Sequence, residues 1–496
     1  MQTDSFVNYS ILETIGNTPM VELHKQDTGL CRLFVKLENQ NPGGSIKDRI
    51  ALSMIKDAEV TGKLNPGGTI IEATAGNTGI GLTLVARMKG YKVILVIPDK
   101  MSQEKINLLR AMGAEVILTR SDINKGHPEY YQDMAERIAK EIPGSFFINQ
   151  FGNPANPLAH ETTTGPEIFK QLDGKVDAVV CGIGSSGTLT GLTHFFQKNK
   201  PDVEMVIADP QGSVIKDYVT TGTFNGAGSW FVEGIGEDFI PPIADFSLTK
   251  KAYSISDEES FITAQRILRE EGILLGSSSG TLIAAALKYC KEQKQPKNVV
   301  TFVCDSGNKY ITKMFNEFWM RDNGFSKQTI TGNLIDIITR KFNCNEVVFL
   351  KPDDLLKNAF QKMKLYDISQ LPVIEGTSIA GIFDESDLLD ALISKADPSS
   401  SRVKNFMTTN LVKLSPDDNI TEVINILSSG MVPIIVDDKK FLGLITKIDL
   451  INYLNKSNQS VLEVLEPEVG SRKTEDRSRK LKEKKQNEAG SRKTEV

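Results

Sequence analysis

The stretch TIIEATAGNTGIGLTLVARMKGYKVILVIP, residues 69–98, decides the fold of this chain. Two continuous apolar runs, 69–74 and 92–98, flank a segment with helical patterning that begins at a glycine-rich turn. Continuous apolar runs between helices are typical of parallel strands that are covered on both faces. The stretch therefore predicts one strand–helix–strand unit of an α/β fold.

The same alternation of short apolar runs and longer helical patterns continues over residues 10–320. Further strand-like runs are AEVILT (114–119), VDAVVCGIG (176–184), EMVIADP (204–210) and NVVTFVCDS (298–306). In sheets of this kind, ligands bind at the carboxyl ends of the strands. We therefore expect the functional loops to follow strands.

Bulk properties exclude several classes of protein. The 496 residues predict about three domains, and a net charge of −5 gives no electrostatic reason to expect nucleic acid or membrane partners. The first ten residues contain no basic region and no apolar region, so no signal peptide is expected, and no apolar run reaches about 18 residues. Five scattered cysteines and four dispersed histidines match no disulfide framework or metal site. We predict a cytoplasmic protein without a bound metal.

The C-terminal third contains a repeat. Two similar units hold QLPVIEGTSIAGIFDESDLLDAL (370–392) and MVPIIVDDKKFLGLITKIDLINYL (431–454), each after an amphipathic helix. The expected divisions are a first domain over 1–320, a linker over 321–334 and repeats over 335–395 and 400–460. The segment 465–496 is rich in lysine and arginine and predicts a basic, disordered tail.

The stretch NPGGSIKDR, residues 41–49, places Lys47 at the predicted first turn of a helix. The dipole at that end is already positive, so a lysine there is unfavourable for helix stability. Taken alone, the position is explained by an ion pair between Lys47 and a neighbour such as Asp48. A functional explanation needs support from other stretches.

Three small-residue loops supply that support. GIGSSGT (182–188), ATAGNTG (73–79) and LLGSSSGT (274–281) each precede a predicted helix, and the first two follow strands. Such loops direct backbone N–H groups at an anion, and 182–188 is typical of a phosphate cradle. Each loop alone could be a tight turn, but together with Lys47 they predict one shared cleft.

A dinucleotide-binding dehydrogenase is an alternative. Gly182, Gly184 and Gly187 satisfy G-x-G-x-x-G, and Asp209 ends a later strand. That hypothesis leaves Lys47 and the other two loops unexplained. Pyridoxal phosphate explains all of them, since it needs a lysine, an anion cradle and a partner for its pyridine nitrogen. A desolvated lysine at a positive helix end has a lowered pKa and is the better nucleophile.

These residues resemble those of a known family. The stretches are IGNTPMVEL (15–23), KLENQNPGGSIKDRIA (36–51), EATAGNTGIGL (72–82), NQFGNPANPLAH (149–160), VEGIGEDFIP (232–241) and DSGNKYITKMFNEFWM (305–320). They are similar to the cysteine synthase/cystathionine β-synthase family of fold-type II pyridoxal phosphate enzymes. The C-terminal repeats resemble a tandem pair of CBS domains, small α+β modules that sense nucleotides.

The resemblance implies roles for individual positions. It makes Lys47 the Schiff-base lysine, Asn77 the partner of the cofactor's phenolic oxygen and Ser278 the partner of its pyridine nitrogen. The phosphate loop matches Gly184, Ser185, Ser186, Gly187 and Thr188, and the substrate-carboxylate positions match Thr74, Ala75, Gly76, Thr78 and Gln150. Four positions depart from the family pattern: Ala75, Phe151, Ser186 and Glu237.

The implied reaction is β-replacement, in which Lys47 serves as base on Cα–H and homocysteine thiolate replaces the hydroxyl of serine. The implied setting is transsulfuration and cysteine biosynthesis, with hydrogen sulfide production from cysteine as a side activity. Cysteine synthase activity stays open, because the departures leave the donor undecided among serine, O-acetylserine and cysteine. No heme is expected, because only about ten residues precede the first motif.

In the second repeat, GLITKID (443–449) matches a nucleotide-binding pattern in which Thr446 and Asp449 face phosphate and ribose. The first repeat has Asp384 at the threonine position, where a carboxylate would repel phosphate but tolerate S-adenosylmethionine. Either that ligand or an adenine nucleotide is expected, unless the pair only assists assembly. A homodimer or larger homo-oligomer is implied. An adenosyl sensor with an inactive first domain is a further alternative.

Overall fold

The computed structural model describes residues 8–74, 76–99, 101, 103–123, 126–325 and 331–456. The chain divides into two compact units, and their boundary in the sequence falls between Trp319 and Met320. The predicted basic tail, 465–496, lies outside the described residues, and so does Ala75. No helix in the described part of the chain has the length and apolar character needed to cross a bilayer.

The first unit contains two sheets. Its strands are β1 (Met20–Glu22), β2 (Arg32–Lys36), β3 (Thr69–Ala73), β4 (Lys92–Pro98), β5 (Glu115–Thr119), β6 (Ser145–Phe147), β7 (Ala178–Cys181), β8 (Glu204–Pro210), β9 (Thr249–Ile255) and β10 (Asn298–Phe302). One sheet has the order β5-β4-β3-β6 and the other β1-β2-β10-β7-β8-β9. All pairs are parallel except β1 with β2. The predicted α/β class with parallel sheets is confirmed.

Helices connect the strands of this unit. They are α1 (Lys47–Val60), α2 (Asn77–Lys89), α3 (Gln103–Ala111), α4 (Tyr131–Glu141), α5 (Ala155–Ala159), α6 (Gly165–Gln171), α7 (Gly187–Asn199), α8 (Ile215–Thr221), α9 (Asp257–Glu271), α10 (Ser277–Lys291) and α11 (Glu317–Asp322), which spans the junction. A π-helical turn covers His160–Thr164, and 3-10 turns cover Ile11–Thr14, Glu38–Gln40 and Gly307–Tyr310.

The four-stranded sheet is buried on both faces, as its apolar runs predict. Ile70, Val93 and Leu95 point into a core that is shared with α1 and α2. The alternate residues, among them Ile71 and Ile94, pack against α4 on the opposite face. Because both faces are covered, the carboxyl ends of the strands are the places where polar loops can meet a ligand.

The helix starts fall where the loops predict them. The helix α1 begins at Lys47, α2 at Asn77, α7 at Gly187 and α10 at Ser277. Each start follows a loop rich in glycine or serine, because small residues permit the sharp turn from an extended segment into a helix. Residues at these four helix N-termini line one cavity.

The second unit is built from two similar α+β halves. Its strands are β11 (Gln370–Glu375), β12 (Ser378–Asp384), β13 (Lys413–Leu414), β14 (Ile434–Asp437) and β15 (Lys440–Leu444). Its helices are α12 (Leu356–Tyr366), α13 (Glu385–Ile393), α14 (Ile420–Ser428) and α15 (Lys447–Lys456), with 3-10 turns at Leu334–Asp336, Phe342–Cys344 and Val403–Asn405. Strands β11 and β12 form an antiparallel hairpin, as do β14 and β15.

The two halves exchange their N-terminal segments. Leu334, Ile337 and Ile338 stand at the start of the first repeat in sequence, yet they are buried in the core of the second repeat. Val403 stands at the start of the second repeat in sequence and is buried in the core of the first repeat. Apolar periodicity locates a buried residue but does not say which of two similar cores receives it.

Candidate active site

A cavity of about 740 Å³ lies in the first unit at the carboxyl ends of the strands. It brings together Lys47 and residues from all three small-residue loops. The predicted site residues that line it are Lys47, Thr74, Asn77, Thr78, Gln150, Gly184, Ser185, Ser186, Gly187, Thr188 and Ser278. Phe151 and Glu237, two of the departures from the family pattern, also line it.

Lys47 extends from the first residue of α1 into this cavity. Loss of water around the side chain lowers the pKa of its amine. The alternative ion pair with Asp48 does not form among the residues that the structure describes, since the Asp48 carboxylate instead accepts the N–H of Gly43 at 2.5 Å. The unfavourable helix position thus delivers a desolvated amine to the cavity.

The loop between β7 and α7 forms a cradle of backbone N–H groups. A Cβ atom at Gly184 would lie 2.7 Å from the carbonyl oxygen of Gly234, and one at Gly187 would lie 1.8 Å from Asn156 Oδ1. Ser186 caps α7 with a φ of 67°, the left-handed region that favours glycine. Side chains are therefore kept away from the loop at 184 and 187, and an anion can approach the backbone.

Polar contacts fix the other side of the cavity. The Thr78 hydroxyl donates to Gln150 Oε1 at 2.8 Å, and Gln150 Nε2 donates to the carbonyl of Ala73 at 3.1 Å. The Thr74 hydroxyl accepts the N–H groups of Gly76 and Gly79. Gly76 has a φ of 114° and shapes the turn without lining the cavity. This loop presents hydroxyl and amide groups suited to a carboxylate.

Ser278 lies at the second position of α10 and is 4% exposed. The thiol of Cys304 lines the same cavity. Burial raises the pKa of this thiol to about 12, so it stays protonated at neutral pH. A neutral hydroxyl and a neutral thiol thus face this end of the cavity.

Four residues near the cavity were missed by sequence reasoning: Asn156, His160, Asp305 and Lys309. Asn156 donates to the Gln150 carbonyl and to Ser185 Oγ, which links the two loops. Nε2 of His160 is 3.3 Å from Thr188 Oγ1. All four lie inside stretches that resemble the family, so polar residues within those stretches were the available signal.

Asp305 and Lys309 hold Asn77. Asn77 Nδ2 donates to Asp305 Oδ2 at 2.8 Å, and Lys309 Nζ donates to Asn77 Oδ1 at 3.0 Å. Desolvation lowers the pKa of Lys309.

The two predicted nucleotide-binding residues, Thr446 and Asp449, belong to the second unit and are not among the residues that line this cavity. The backbone N–H and the hydroxyl of Thr446 both donate to Asp449, whose other oxygen accepts from Thr339. In the first repeat Asp384 caps α13 by accepting the N–H groups of Ser386 and Asp387. Among the described residues, no cluster of His, Cys, Asp or Glu is arranged to hold a metal ion.

The cradle at Gly187 can be tested by adding one methyl group. Gly187→Ala forces Asn156 to move, and Asn156 connects Gln150 with Ser185. We expect the affinity for pyridoxal phosphate to fall about five- to 150-fold, since overpacking of this kind costs about 1–3 kcal/mol. Equilibrium dialysis measures it. Gly226→Ala is the control, since nothing lies within 4 Å of a Cβ there; equal affinities for the two variants would contradict the cradle.

A buried carboxyl behind the cavity makes stability depend on pH. Burial raises the pKa of Glu72, on β3, from 4.5 to about 8. Between those values the folded chain holds a proton that the unfolded chain has released, so the free energy of unfolding falls as pH rises. Between pH 6 and pH 8 we expect Glu72 to lower the free energy of unfolding by about 2 kcal/mol. In the Glu72→Gln variant this decrease should be absent.

Urea unfolding at several pH values measures this effect of Glu72. The exposed Glu115, on strand β5 of the same sheet, gives the control Glu115→Gln. Its pH profile should run parallel to that of the unsubstituted protein. A parallel profile for Glu72→Gln as well would contradict the prediction.

The arrangement of these groups can be stated in chemical terms. A desolvated amine, an anion cradle, a carboxylate-binding loop and a neutral hydroxyl surround one cavity. That set fits pyridoxal phosphate, which needs an amine for attachment and a cradle for its phosphate. The fold and the site define a pyridoxal phosphate-dependent enzyme of fold type II.

Comparisons with known proteins agree with this class. The family model described as "Pyridoxal-phosphate dependent enzyme" matches residues 11–305, and the model "CBS domain" matches residues 333–394 and 403–456. Cystathionine β-synthase of Dictyostelium discoideum is 36% identical over 464 residues, covering 91% of this chain and 93% of that protein. The chain belongs to the cystathionine β-synthase family of pyridoxal phosphate-dependent lyases.

Two solved structures resemble the first unit. A hydrogen sulfide-producing enzyme from Fusobacterium nucleatum has a TM-score of 0.58 and 38% identity, covering 61% of this chain and 100% of its own. An O-acetylserine-dependent cystathionine β-synthase from Helicobacter pylori has a TM-score of 0.57 and 36% identity, covering 62% of this chain and 99% of its own. The name of the first protein gives a product, hydrogen sulfide, and the name of the second gives a donor, O-acetylserine.

Proposed function

We propose that this protein condenses L-serine with L-homocysteine to give L-cystathionine and water. The observation that carries the proposal is the desolvated Lys47 amine in the same cavity as the anion cradle and the Thr78–Gln150 pair. Further support comes from the Dictyostelium relative, which matches both the catalytic part and the repeats. We place the reaction in transsulfuration, with hydrogen sulfide release from cysteine as a side activity.

The proposed roles follow from the positions around the cavity. The cofactor, when bound through Lys47, supplies an electron sink that stabilises negative charge on the substrate's Cα. The backbone of Gly184–Thr188 holds its phosphate, Asn77 donates to its phenolic oxygen and Ser278 faces its pyridine nitrogen. Thr74, Gly76, Thr78 and Gln150 hold the substrate carboxylate, together with Ala75, which is not among the described residues.

Lys47 moves the proton in this reaction. With the cofactor bound, Lys47 Nζ would take the proton from Cα and deliver it to the leaving hydroxyl, which would depart as water. A lowered amine pKa suits both steps, because the neutral amine accepts a proton and the ammonium then releases it near neutral pH. As the homocysteine sulfur bonds to Cβ, its thiol proton would pass to Lys47, and Lys47 would return that proton to Cα.

The test compares donor and acceptor pairs on the purified full chain, with products identified by mass spectrometry. Cystathionine formed from serine and homocysteine supports the proposal. Cysteine formed only from O-acetylserine and sulfide would replace it with cysteine synthase activity. Cystathionine formed only from O-acetylserine would keep the acceptor and change the donor. Absence of a visible absorption band after cofactor is added would overturn the cofactor assignment itself.

We also propose that the second unit binds S-adenosylmethionine or an adenine nucleotide through Thr446 and Asp449. The match to CBS domains and the pairing of Thr446 with Asp449 support this. Calorimetric titration of the full chain with each ligand tests it, and Thr446→Ala should weaken binding. We further propose a cytoplasmic homodimer, which light scattering and cell fractionation test directly.

A further inference from the structure

The side-chain amide of Asn77 is hydrogen-bonded on one side to a donor and on the other side to an acceptor. On one side the Lys309 ammonium donates to Asn77 Oδ1, and on the other side Asp305 Oδ2 accepts from Asn77 Nδ2. Asp305 is fully buried and Lys309 is 9% exposed. These contacts join residues that lie 228 and 232 positions apart in the sequence.

Only one orientation of the amide satisfies both partners. In these contacts the Lys309 amine donates and the Asp305 carboxyl oxygen accepts, so exchanging the oxygen and nitrogen of Asn77 would break both hydrogen bonds. A primary amide has two N–H bonds, and Asp305 is the one acceptor found for Nδ2 among the described residues. The second N–H is therefore left for a ligand in the cavity that Asn77 lines.

The two partners of Asn77 are themselves anchored. Lys309 Nζ also donates to the carbonyls of Gly43 and Gly44, the turn that leads into α1 and Lys47. Asp305 Oδ2 also accepts from the Tyr310 hydroxyl at 2.8 Å. Because these contacts use three separate segments of the chain, neither partner can turn away without breaking other buried hydrogen bonds.

We propose that Lys309 and Asp305 are positioning residues that hold the Asn77 amide in the single orientation that presents an N–H to an anionic ring oxygen of the cofactor. The proposal rests on the proposed function, because it assumes that pyridoxal phosphate fills the cavity. Lys309 itself does not touch the cofactor in this assignment. It acts through Asn77.

A double-mutant cycle in cofactor affinity tests this dependence. The variants are Asn77→Ala, Lys309→Met and the double variant, and the readouts are the dissociation constant of pyridoxal phosphate and the position of its bound absorption band. Loss of one oriented hydrogen bond should weaken binding about three- to tenfold in each single variant. In the double variant we expect no further weakening beyond Asn77→Ala, because Lys309 then has no amide to orient.

The matched control is Lys36→Met. Lys36 is fully buried and donates to the Thr18 carbonyl and to Gln171, with an ion pair to Glu167, but it does not line the cavity. We expect its loss to reduce stability and to leave the bound absorption band in place. The control separates the general cost of removing a buried lysine from the effect on Asn77.

One result would overturn the proposal. In that result, Lys309→Met lowers the affinity for the cofactor by the same factor in the unsubstituted protein and in the Asn77→Ala variant. Lys309 would then act independently, for example through the Gly43–Gly44 turn. If Lys309→Met does not fold, Asp305→Asn enters the same cycle with the same criterion. Failure of the cofactor assignment is distinguishable, since the unsubstituted protein would then show no bound band at all, and failure of the donor or acceptor assignment is detected by the products of the unsubstituted protein.

Discussion

Replacing Lys47 with alanine is expected to lower kcat for cystathionine formation by about four orders of magnitude. Lys47 is the first residue of α1, and it lines the same cavity as the cradle. Its removal takes away both the attachment point of the cofactor and the proposed base at Cα. We also expect the absorption band of the bound cofactor to move to that of the free aldehyde.

The control for this variant is Lys56→Ala, which removes an exposed lysine from the same helix α1. It should leave kcat and the absorption band unchanged. Partial recovery of Lys47→Ala by a small primary amine would show that a base is missing and that the fold is intact. Retention of more than about a tenth of the activity in Lys47→Ala would contradict the assigned role.

Replacing Arg49 with methionine is expected to lower the free energy of unfolding of the first unit by about 3–5 kcal/mol. Arg49 is 3% exposed and pairs with two carboxylates, Glu38 and Glu167. Burial disfavours the charged form of Glu167, yet hydrogen bonds from Arg49 and Lys36 lower its pKa to about 2. Without Arg49, the fully buried carboxyl group of Glu38 has no guanidinium beside it.

Thermal and urea unfolding of the full chain measure this loss. Arg32→Met is the matched control, because Arg32 makes a similar two-pronged pair with Glu22 at the surface. Surface pairs of this kind contribute about 1 kcal/mol or less, so the control should change little. Adding Glu38→Gln to Arg49→Met should recover part of the loss. Equal effects of the two arginine substitutions would contradict the importance of burial.

Much of the site could be predicted from the sequence because its chemistry is local. The glycine- and serine-rich loops specify where α2, α7 and α10 begin, and the same residues expose backbone N–H groups. Lys47 is conspicuous because its position is unfavourable for a helix. The apolar runs are long enough to predict strands that are buried on both faces, and hence parallel sheets with ligands at their carboxyl ends.

Other features depend on residues that meet only in the folded chain. The contacts of Asn77 with Asp305 and Lys309 span more than 200 positions, and the pair between Arg49 and Glu167 spans 118. Composition and spacing carry no signal for such pairs, since any buried lysine or carboxylate has many candidate partners. In the same way, the apolar character of Leu334 and Ile338 does not say which of the two repeat cores they pack into.

The sequence by itself thus determined the fold class, the order of the domains and the groups that surround the cavity, because each depends on short stretches with characteristic patterning. Only the tertiary structure decided which charges are paired in the interior, how the Asn77 amide is oriented and which repeat receives the segment 334–338. Those outcomes depend on the distance and burial of groups far apart in the chain, and pairing energies in the interior are large only where water is excluded.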